Sequence, residues 1–391
     1  MNGLKILRQP VLASLMLAAV MCALVAGVWR LGLLESAELQ GYDLLVAMRG
    51  LSAPPSDIAI VDFDDATMEG LRIFPIPRPL LAQVVEKISA GGPALIGLDI
   101  LLSEKRGAEG DRKLAQSMAW AGNVVIANNY RSAQLPPSEP LPMFREAALD
   151  VAFVNVPLDE DGRVRRVLLW MKSSEFSSVS FPIALASNFT GKPLEPGRPG
   201  TVRIGATEIP LDGASPNAAL ITFWKPPAHT IVSVQTLLAE GFGPSVFKGK
   251  IVLVGQSSAK GKDLFLTPVN RYGAGDGDRA MLSGAEIHAA AITTLLTGDA
   301  TRVLHALPLW LLNFLLAWLV LATVISTRPA YAALAALAAI FGGYALAQFL
   351  FSTERLWMRF ISSEAGILLA LPAGFGYRFL VGQRLKSHAE A

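Results

Sequence analysis

The sequence predicts a mixed α/β domain, with a largely parallel sheet flanked by helices and with β-hairpin insertions, attached to four transmembrane α-helices. Two observations carry this prediction. Short apolar strand-like runs alternate with helix-like runs between residues 34 and 303, a pattern typical of parallel sheets covered by helices. Four long apolar runs lie outside that segment, in a chain that is 52% hydrophobic and only 17% charged.

Composition excludes several classes of protein. The 34 basic and 32 acidic residues are interspersed and leave a net charge of +2, so nothing indicates nucleic-acid binding. The single cysteine, Cys22, lies in the first apolar run, which leaves the α/β segment without a disulfide framework or a thiolate metal site. We expect neither a cofactor nor a metal.

The apolar runs predict a multi-pass membrane protein. Run 11–29 approaches the ~20 residues that a helix needs to cross a bilayer and exceeds the ~7 to 15 residues of a signal-peptide core. We therefore expect an anchor, with a cleaved signal peptide as the alternative. The predicted order is a cytoplasmic terminus (1–10), a transmembrane helix (11–34), an extracytoplasmic domain (35–300), three transmembrane helices (301–328, 329–353 and 360–383) and a cytoplasmic tail (384–391).

Orientation follows from the basic residues that flank the short loops. The predicted cytoplasmic side carries Lys5, Arg8, Arg328, Arg378, Arg384 and Lys386, whereas the other side carries Arg30, Arg302, Arg355 and Arg359. This bias favours cytoplasmic termini in a bacterial inner (plasma) membrane, with the domain on the periplasmic or outer side. The inverted topology remains the alternative.

Within the domain, periodicity predicts the elements in order. Strands are expected at 58–62, 94–99, 124–127, 219–223 and 250–255, and helices at 79–90, 111–121, 182–189 and 285–296. Two hairpins are expected, one from strands 151–156 and 164–170 with a turn at 159–162, and one from Thr201–Ile204 and 208–211. Segments 135–142 and 191–200, rich in proline and glycine, are expected to be loops.

Acidic residues follow two of the predicted parallel strands. Asp62, Asp64 and Asp65 follow the first strand and Asp99 ends the second, which would bring them to the carboxyl edge of the sheet, where α/β folds bind ligands. The run IVDFDDAT approaches the D-x-D-x-T pattern of haloacid-dehalogenase-like phosphohydrolases but has Ala66 at the fifth place. Capping of turns and helices is the more common role for such acids.

Other motifs point mainly to structure. Residues 255–262 resemble a phosphate-binding loop, but the spacing to Lys262 is one residue too long and Asp263 follows it. His229 and His288 have no cysteine partners, which favours structural roles. The basic residues Arg163, Arg165 and Arg166 could pair with the acids of turn 159–162 or hold an anionic ligand, and the sequence leaves both alternatives open.

A series of short motifs resembles the second type of CHASE domain, the cyclase- and histidine-kinase-associated sensory extracellular domain. The matching runs are IAIVDFDD (58–65), PIPR (75–78), IGLDI (96–100), FVNV (153–156), DEDGRVRR (159–166), FKGKIVLVG (247–255), TP (267–268) and GAEIH (284–288). The resemblance implies an extracytoplasmic sensor fold with one leading membrane helix and a trailing block of three.

The expected function is therefore that of a membrane-anchored sensor. It would relay the binding of an extracytoplasmic ligand or protein to a cytoplasmic output, which is missing here or supplied by a separate cyclase or kinase. We expect a homodimer and no enzymatic activity of its own. An extracytoplasmic metal-dependent phosphohydrolase and an envelope scaffold are the alternatives. The expected ligand-binding or signalling residues are Asp62, Asp64, Arg78, Asp99, Asn155, Arg165, Arg166, Asp263, Glu286 and His288.

Overall fold

The structure is a computed structural model that describes residues 10–389, apart from 54, 56, 131–136, 173–176, 214, 225–227, 262 and 271–280. Lys5, Arg8 and Lys262, which entered the predictions, therefore lie outside the described residues. Contacts divide the chain into an α/β unit, Gly50–Arg302, and a helical unit formed by the segments on either side of it.

The elements of the chain are numbered in order. Two helices come first, α1 (Pro10–Arg30) and α2 (Glu35–Arg49). The first half of the α/β unit contains β1 (Ile58–Asp62), α3 (Asp65–Gly70), α4 (Arg78–Ser89), β2 (Leu95–Leu98), α5 (Ala108–Ala121), β3 (Val124–Asn128), α6 (Pro142–Ala147) and β4 (Asp150–Phe153).

The second half of the α/β unit begins with four short elements, β5 (Arg166–Leu168), β6 (Trp170–Lys172), β7 (Ser177–Val179) and α7 (Phe181–Thr190). These are followed by β8 (Leu194–Pro196), β9 (Thr201–Ile204), β10 (Thr207–Pro210), β11 (Ala218–Leu220), β12 (Thr230–Ser233), α8 (Val234–Leu238), β13 (Ile251–Gly255), β14 (Leu264–Phe265), β15 (Leu282–Ser283) and α9 (Gly284–Thr297). Single 3₁₀ turns occupy Pro244–Phe247, Ala259–Gly261 and Pro268–Asn270.

The final segment contains β16 (Arg302–Val303), α10 (Ala306–Ser326), α11 (Pro329–Glu354), β17 (Leu356–Trp357) and α12 (Ile361–Ala389). Only Thr327 and Arg328 separate α10 from α11. Pro329 occupies the first turn of α11, where a backbone N–H would have no partner within the helix, so its missing N–H costs nothing and the helix can begin there. The predicted helical hairpin is confirmed.

A six-stranded parallel sheet forms the centre of the α/β unit. The strand order is β12-β1-β13-β2-β3-β4, and every neighbouring pair is parallel. All residues of β1, β2, β3 and β13 are buried, which is typical of parallel strands covered on both faces. The predicted mixed α/β fold with a largely parallel sheet is confirmed.

The two faces of the sheet belong to different hydrophobic clusters. On one face Val61 and Val254 pack with residues of α4, α5, α6 and α8, whereas on the other face Ile60 and Leu253 pack with α7 and α9. Successive strand residues point to opposite faces, so each strand contributes to both clusters. Each fully buried large aliphatic side chain contributes about 1.5–3 kcal/mol to folding.

Helix α9 is buried on both sides. Ala285, Ala289 and Ile292 face the parallel sheet, while a second set of its residues, Ile287, Ala290, Ala291 and Leu295, packs against a small β subdomain that includes β5 and β8 to β11. Small side chains let the helix lie close to the sheet. Ser283 and Glu286 form a capping box at its start, and Gly298, with φ of 73°, ends it.

Two local predictions were wrong. Strands β4 and β5 do not form a hairpin, because β4 extends the parallel sheet beside β3 and β5 pairs with β11 instead. A turn does lie between them, where the Asp159 N–H donates to the Arg163 carbonyl at 2.9 Å. Segment 191–200 is not only a loop, since β8 within it pairs antiparallel with β9. The predicted hairpin of β9 and β10 is confirmed.

Among the described residues, four helices are long and apolar enough to cross a membrane: Pro10–Arg30, Ala306–Ser326, Pro329–Glu354 and Ile361–Gln383. Ala18, Ala317, Ala332 and Ala370 lie in their shared core. Such small residues let helices approach closely where lipid supplies no hydrophobic driving force between them. The fold therefore has the four candidate transmembrane helices that the sequence predicts, whereas helix α2 was not predicted.

Gly255→Ala tests the close packing of α9 on the sheet. A Cβ at residue 255 would lie 2.6 Å from the Cβ of Ala285, so strand and helix must separate. We expect a loss of about 1–3 kcal/mol in the free energy of unfolding, measured by thermal unfolding of the full chain in detergent. Gly243→Ala is the control, because nothing lies within 4 Å of its Cβ position. Equal melting temperatures for the two variants would contradict this packing.

Candidate functional site

The main candidate site lies at the carboxyl edge of the parallel sheet. Strands β1 and β13 end side by side, with Asp62 opposite Gly255. The loops that follow them border a cavity of about 470 Å³, which is within the size range of small-molecule sites. It is lined by Asp64, Asp65, Ala66, Ser257, Leu264, Met281 and Glu286. Among the described residues that line it, none is basic.

Asp62, the last residue of β1, is bonded to the loop that follows the neighbouring strand β13. Its carboxylate accepts a hydrogen bond from the Ser257 backbone N–H at 2.9 Å and another from the Ser257 hydroxyl. Burial raises the pKa of Asp62, the two bonds from Ser257 lower it, and the charges of Asp64 and Glu286 raise it further. Asp62 is therefore a buried residue whose two carboxylate oxygens fix the loop after β13 through hydrogen bonds from Ser257.

Each carboxylate at the cavity rim also accepts a hydrogen bond from a nearby backbone N–H group. Asp64 caps α3 by accepting a hydrogen bond from the Thr67 N–H at 2.8 Å, and Asp65 accepts one from the Ala259 N–H at 3.0 Å. Glu286 accepts hydrogen bonds from the Ser283 N–H and hydroxyl, both at 2.9 Å. The cavity rim is thus acidic, and its carboxylates are hydrogen-bonded to the first turn of α3, the loop after β13 and the start of α9.

A second acidic group lies around the start of α9. Asp99 follows β2, Asp263 precedes β14, and His288 lies in α9, with 3.8 Å between His288 Nε2 and Asp99 Oδ2. A Cβ on Gly284 would lie 2.3 Å from Asp263 Oδ2, so only glycine leaves room for that carboxyl group. The fold brings three predicted site residues, distant in sequence, into one buried trio.

Burial dominates the ionisation of this trio. It raises the pKa of Asp99 to about 7, and burial followed by the charge of Asp99 raises the pKa of Asp263 to about 7. Burial lowers the pKa of His288 to about 4, against an opposing effect of Asp263. Between about pH 4 and about pH 7 the favoured state is therefore one in which all three groups are uncharged.

Asn155, Arg166 and His288 meet at a much smaller cavity. Together with Ser180 they line a space of about 10 Å³, which is close to the minimum for one water molecule. The backbone of Tyr130 fixes the side chain of Asn155. The Asn155 amide oxygen accepts a hydrogen bond from the Tyr130 N–H, and the Asn155 amide nitrogen donates one to the Tyr130 carbonyl, both at 2.9 Å. This cavity is too small for a ligand larger than water.

The basic cluster beside turn 159–162 pairs with acids. Arg165, which is fully buried, donates to Asp159 at 2.9 Å and to Asp161 at 2.8 Å. Arg166 forms ion pairs with Asp159 and Asp212. Of the two alternatives that the sequence leaves open, these contacts correspond to pairing. Because the charges are already compensated, the cluster offers little attraction to an anionic ligand.

Arg78 belongs to a different part of the unit. Its side chain is buried between α4 and α5, with Nε 3.4 Å from Asp111 Oδ1 and the guanidinium carbon 5.4 Å from the centre of the Phe144 ring. It also donates to the carbonyl of Glu104 at 3.2 Å. These contacts indicate a structural role in joining the two helices.

The structure also bears on the catalytic motifs. Asp62 and Asp64, which have the D-x-D spacing, bond Ser257 and the N terminus of α3. Within the described residues, no group of three or more His, Cys, Asp and Glu side chains could hold a metal ion. Sequence reasoning missed Ser257 as the partner of Asp62. The signal in the sequence was the position of Ser257 two residues after a predicted buried strand. That this strand neighbours β1 is shown by the structure.

A family model described as the CHASE2 domain matches residues 18–327. No curated protein matches the chain. No solved structure matches it either.

Asp99→Asn tests the buried trio through the pH dependence of stability. A carboxyl whose pKa is raised by folding stabilises the fold fully below about pH 4, and this contribution is lost as the pH rises through about 7. His288 acts oppositely, since its contribution is present above about pH 6.5 and is lost as the pH falls towards about 4. The Asp99→Asn change removes one carboxyl group with a raised pKa and leaves the contribution of His288 in place.

We therefore expect the Asp99→Asn variant to gain stability relative to the unchanged chain as the pH rises from about 5 to about 8, by at least about 1 kcal/mol. Melting temperatures of the full chain at a series of pH values measure this difference. Asp57→Asn is the matched control, because Asp57 is exposed. A difference between the Asp99 variant and the unchanged chain that is the same at every pH would exclude this account of the trio.

Proposed function

The chain belongs to the CHASE2 domain family, whose members are extracellular sensory domains and not catalytic, and from this premise we propose a membrane-anchored sensor. In this proposal the α/β unit lies in the periplasm or outside the cell, and the four apolar helices cross the bacterial inner membrane. Binding of a ligand or protein partner to the α/β unit changes the membrane helices and thereby a cytoplasmic output.

The cavity at the sheet edge is the observation that carries this proposal. It has the volume of a small-molecule site, and parallel α/β sheets bind ligands at this edge. Asp64, Asp65 and Glu286 supply negative charge, while Leu264 and Met281 supply apolar surface. This combination favours a ligand that has a positively charged group and an apolar part.

The same contacts support a route for the signal. Glu286 of the rim lies in the first turn of α9, so a ligand that contacts Glu286 acts directly on the start of that helix. The buried trio adds a second link, because His288 belongs to α9 and Asp99 to the end of β2. In sequence, residues 298–305 connect α9 to α10. A shift of α9 is therefore the proposed first step of the relay.

The output is proposed to lie in the cytoplasm. CHASE domains are named for their association with cyclases and histidine kinases, so a cytoplasmic cyclase or kinase is the proposed partner. We propose that the receptor acts as a homodimer, in which α10 helices of the two copies respond to the state of α9. The sensor itself is proposed to have no catalytic activity, no cofactor and no bound nucleic acid.

Ligand binding is tested with Asp64→Asn. Asparagine still caps a helix but carries no charge, so the variant should fold while losing affinity for a cation. We expect a cationic compound from a screen of small amines and their anionic analogues to raise the melting temperature of the full chain. The stabilisation reaches about 2.7 kcal/mol at a concentration 100 times the Kd. The shift should be much smaller in the variant at the same concentration.

Glu69→Gln is the matched control for this experiment. Glu69 lies on the same short helix as Asp65, is exposed, and does not line the cavity. We expect the control to retain the full shift. If no compound raises the melting temperature, or if both variants lose the shift equally, the cavity is not the ligand site and a scaffold role becomes the better explanation.

The relay is tested by disulfide crosslinking between two copies of the chain. Leu307 is 71% exposed in the first turn of α10, so Leu307→Cys in a Cys22→Ser background should crosslink a homodimer in membranes. We expect the rate to change when the stabilising compound is added. Ala317→Cys, at a position 1% exposed, should crosslink poorly in either state. A Leu307→Cys rate that ignores the compound would argue against the relay.

A further inference from the structure

The described part of the helical unit contains a carboxylic acid whose oxygens have no hydrogen-bond partner. Glu364 lies in the first turn of α12, within the segment Ile361–Gln383 that is apolar enough to cross a membrane. Both of its carboxyl oxygens are buried, and neither forms a hydrogen bond with any described residue. No ion pair among the described residues includes Glu364. Buried ionisable groups in this setting are rare, and they usually serve function.

The packing around Glu364 makes room for the carboxyl group. A Cβ on Gly343 of α11 would lie 3.3 Å from Glu364 Oε1 and 4.0 Å from Leu316 Cδ1 of α10. Glycine at this position therefore lets the acid lie against the backbone of α11. The adjacent Gly342 has nothing within 4 Å of its Cβ position. Only one of the two neighbouring glycines accommodates the carboxyl group.

Nearby polar side chains are engaged with one another. Ser363 donates to the Asn313 amide oxygen, and Ser362 donates to the Arg359 carbonyl at 2.9 Å. The guanidinium of Arg359, the nearest cation in sequence, bonds Glu35 at 2.6 Å. Thus the adjoining hydroxyls and the adjoining cation already have partners other than Glu364.

The helices that pack against α12 supply little compensating charge. α10 has no charged or titratable residue. The other three carry Cys22 and Arg30 (α1), Glu35, Glu38, Tyr42, Asp43 and Arg49 (α2), and Tyr331, Tyr344 and Glu354 (α11). Of these, Glu38 is also buried, and it accepts hydrogen bonds from the backbone N–H groups of Ile361 at 3.3 Å and Ser362 at 2.8 Å.

A bare carboxylate in such a place would be very unfavourable, because it would lose its hydration without gaining a hydrogen bond or a cation. A neutral carboxylic acid costs far less to bury, because it carries no charge. We propose that Glu364 is a proton-binding site within the membrane-spanning helices, occupied at neutral pH, where the bound proton allows α11 and α12 to pack together at Gly343.

The proposal has a structural consequence. Loss of the proton would place an uncompensated charge between α11 and α12, so the helices would have to separate or rotate until water or a cation reached the carboxylate. Proton occupancy and helix packing at Gly343 are therefore linked. This link does not depend on ligand binding in the α/β unit and holds whether or not the sensor proposal is correct.

Infrared difference spectroscopy of the full chain in lipid nanodiscs tests the site. Glu364→Gln removes the acid and keeps its shape, so the spectrum of the unchanged chain minus that of the variant isolates one carboxyl group. At neutral pH we expect a carbonyl band at the high-frequency end of the carboxylic-acid range, typical of an acid without hydrogen bonds. A carboxylate band in its place would overturn the proposal.

Two glycine variants test the link to packing. Gly343→Ala should change the frequency of the Glu364 band, because the new methyl group presses on the carboxyl oxygen. Gly342→Ala should leave the band unchanged, because nothing lies within 4 Å of its Cβ position. Alanine is a better helix former than glycine at both positions, so the contact is measured by the difference between the two variants, and Gly343→Ala should melt at a lower temperature than Gly342→Ala. Equal melting temperatures for Glu364→Gln and the unchanged chain at neutral pH are expected, since both side chains are neutral. A Glu364 band that is identical in both glycine variants would overturn the proposed contact.

Discussion

The close approach of helix α9 to strand β13 is the constraint on which the α/β unit depends. Gly255 ends the strand at a point where any side chain would collide with Ala285. Because this helix is buried against the sheet on one side and against the β subdomain on the other, it joins both cores. Tight packing of this kind tends to move as a unit rather than deform gradually.

Buried acids are concentrated where that helix begins. Asp62 lies on one side, bonded to the loop after β13, and Asp99 and Asp263 lie beside His288. Polar groups without full compensation weaken a core, and their clustering at one sheet edge supports the proposed ligand site there. The acidic cavity opens at the same edge, and Glu286 contributes both to its rim and to the cap of α9.

The helical unit uses buried polar groups in two ways. Glu38 accepts hydrogen bonds from the N terminus of α12, and Arg378 donates to the carbonyl of Val324 at 2.8 Å near the end of α10, so each offsets unpaired backbone groups at a helix end. Glu364 has no comparable task. Its carboxyl group has no partner among the described residues, which distinguishes it from these structural groups and supports a role in binding a proton.

The sequence by itself determined the four apolar helices, the parallel strands and the turn at Asp159, because hydropathy, burial on both faces and turn chemistry are local properties. Only the tertiary structure decided that β4 joins the sheet, that Arg165 and Arg166 are compensated by acids, and that Asp99, Asp263 and His288 meet. These contacts depend on strand order and helix packing, which the whole chain sets by burying its apolar surface. Such contacts cannot be predicted from the local spacing of residues in the sequence.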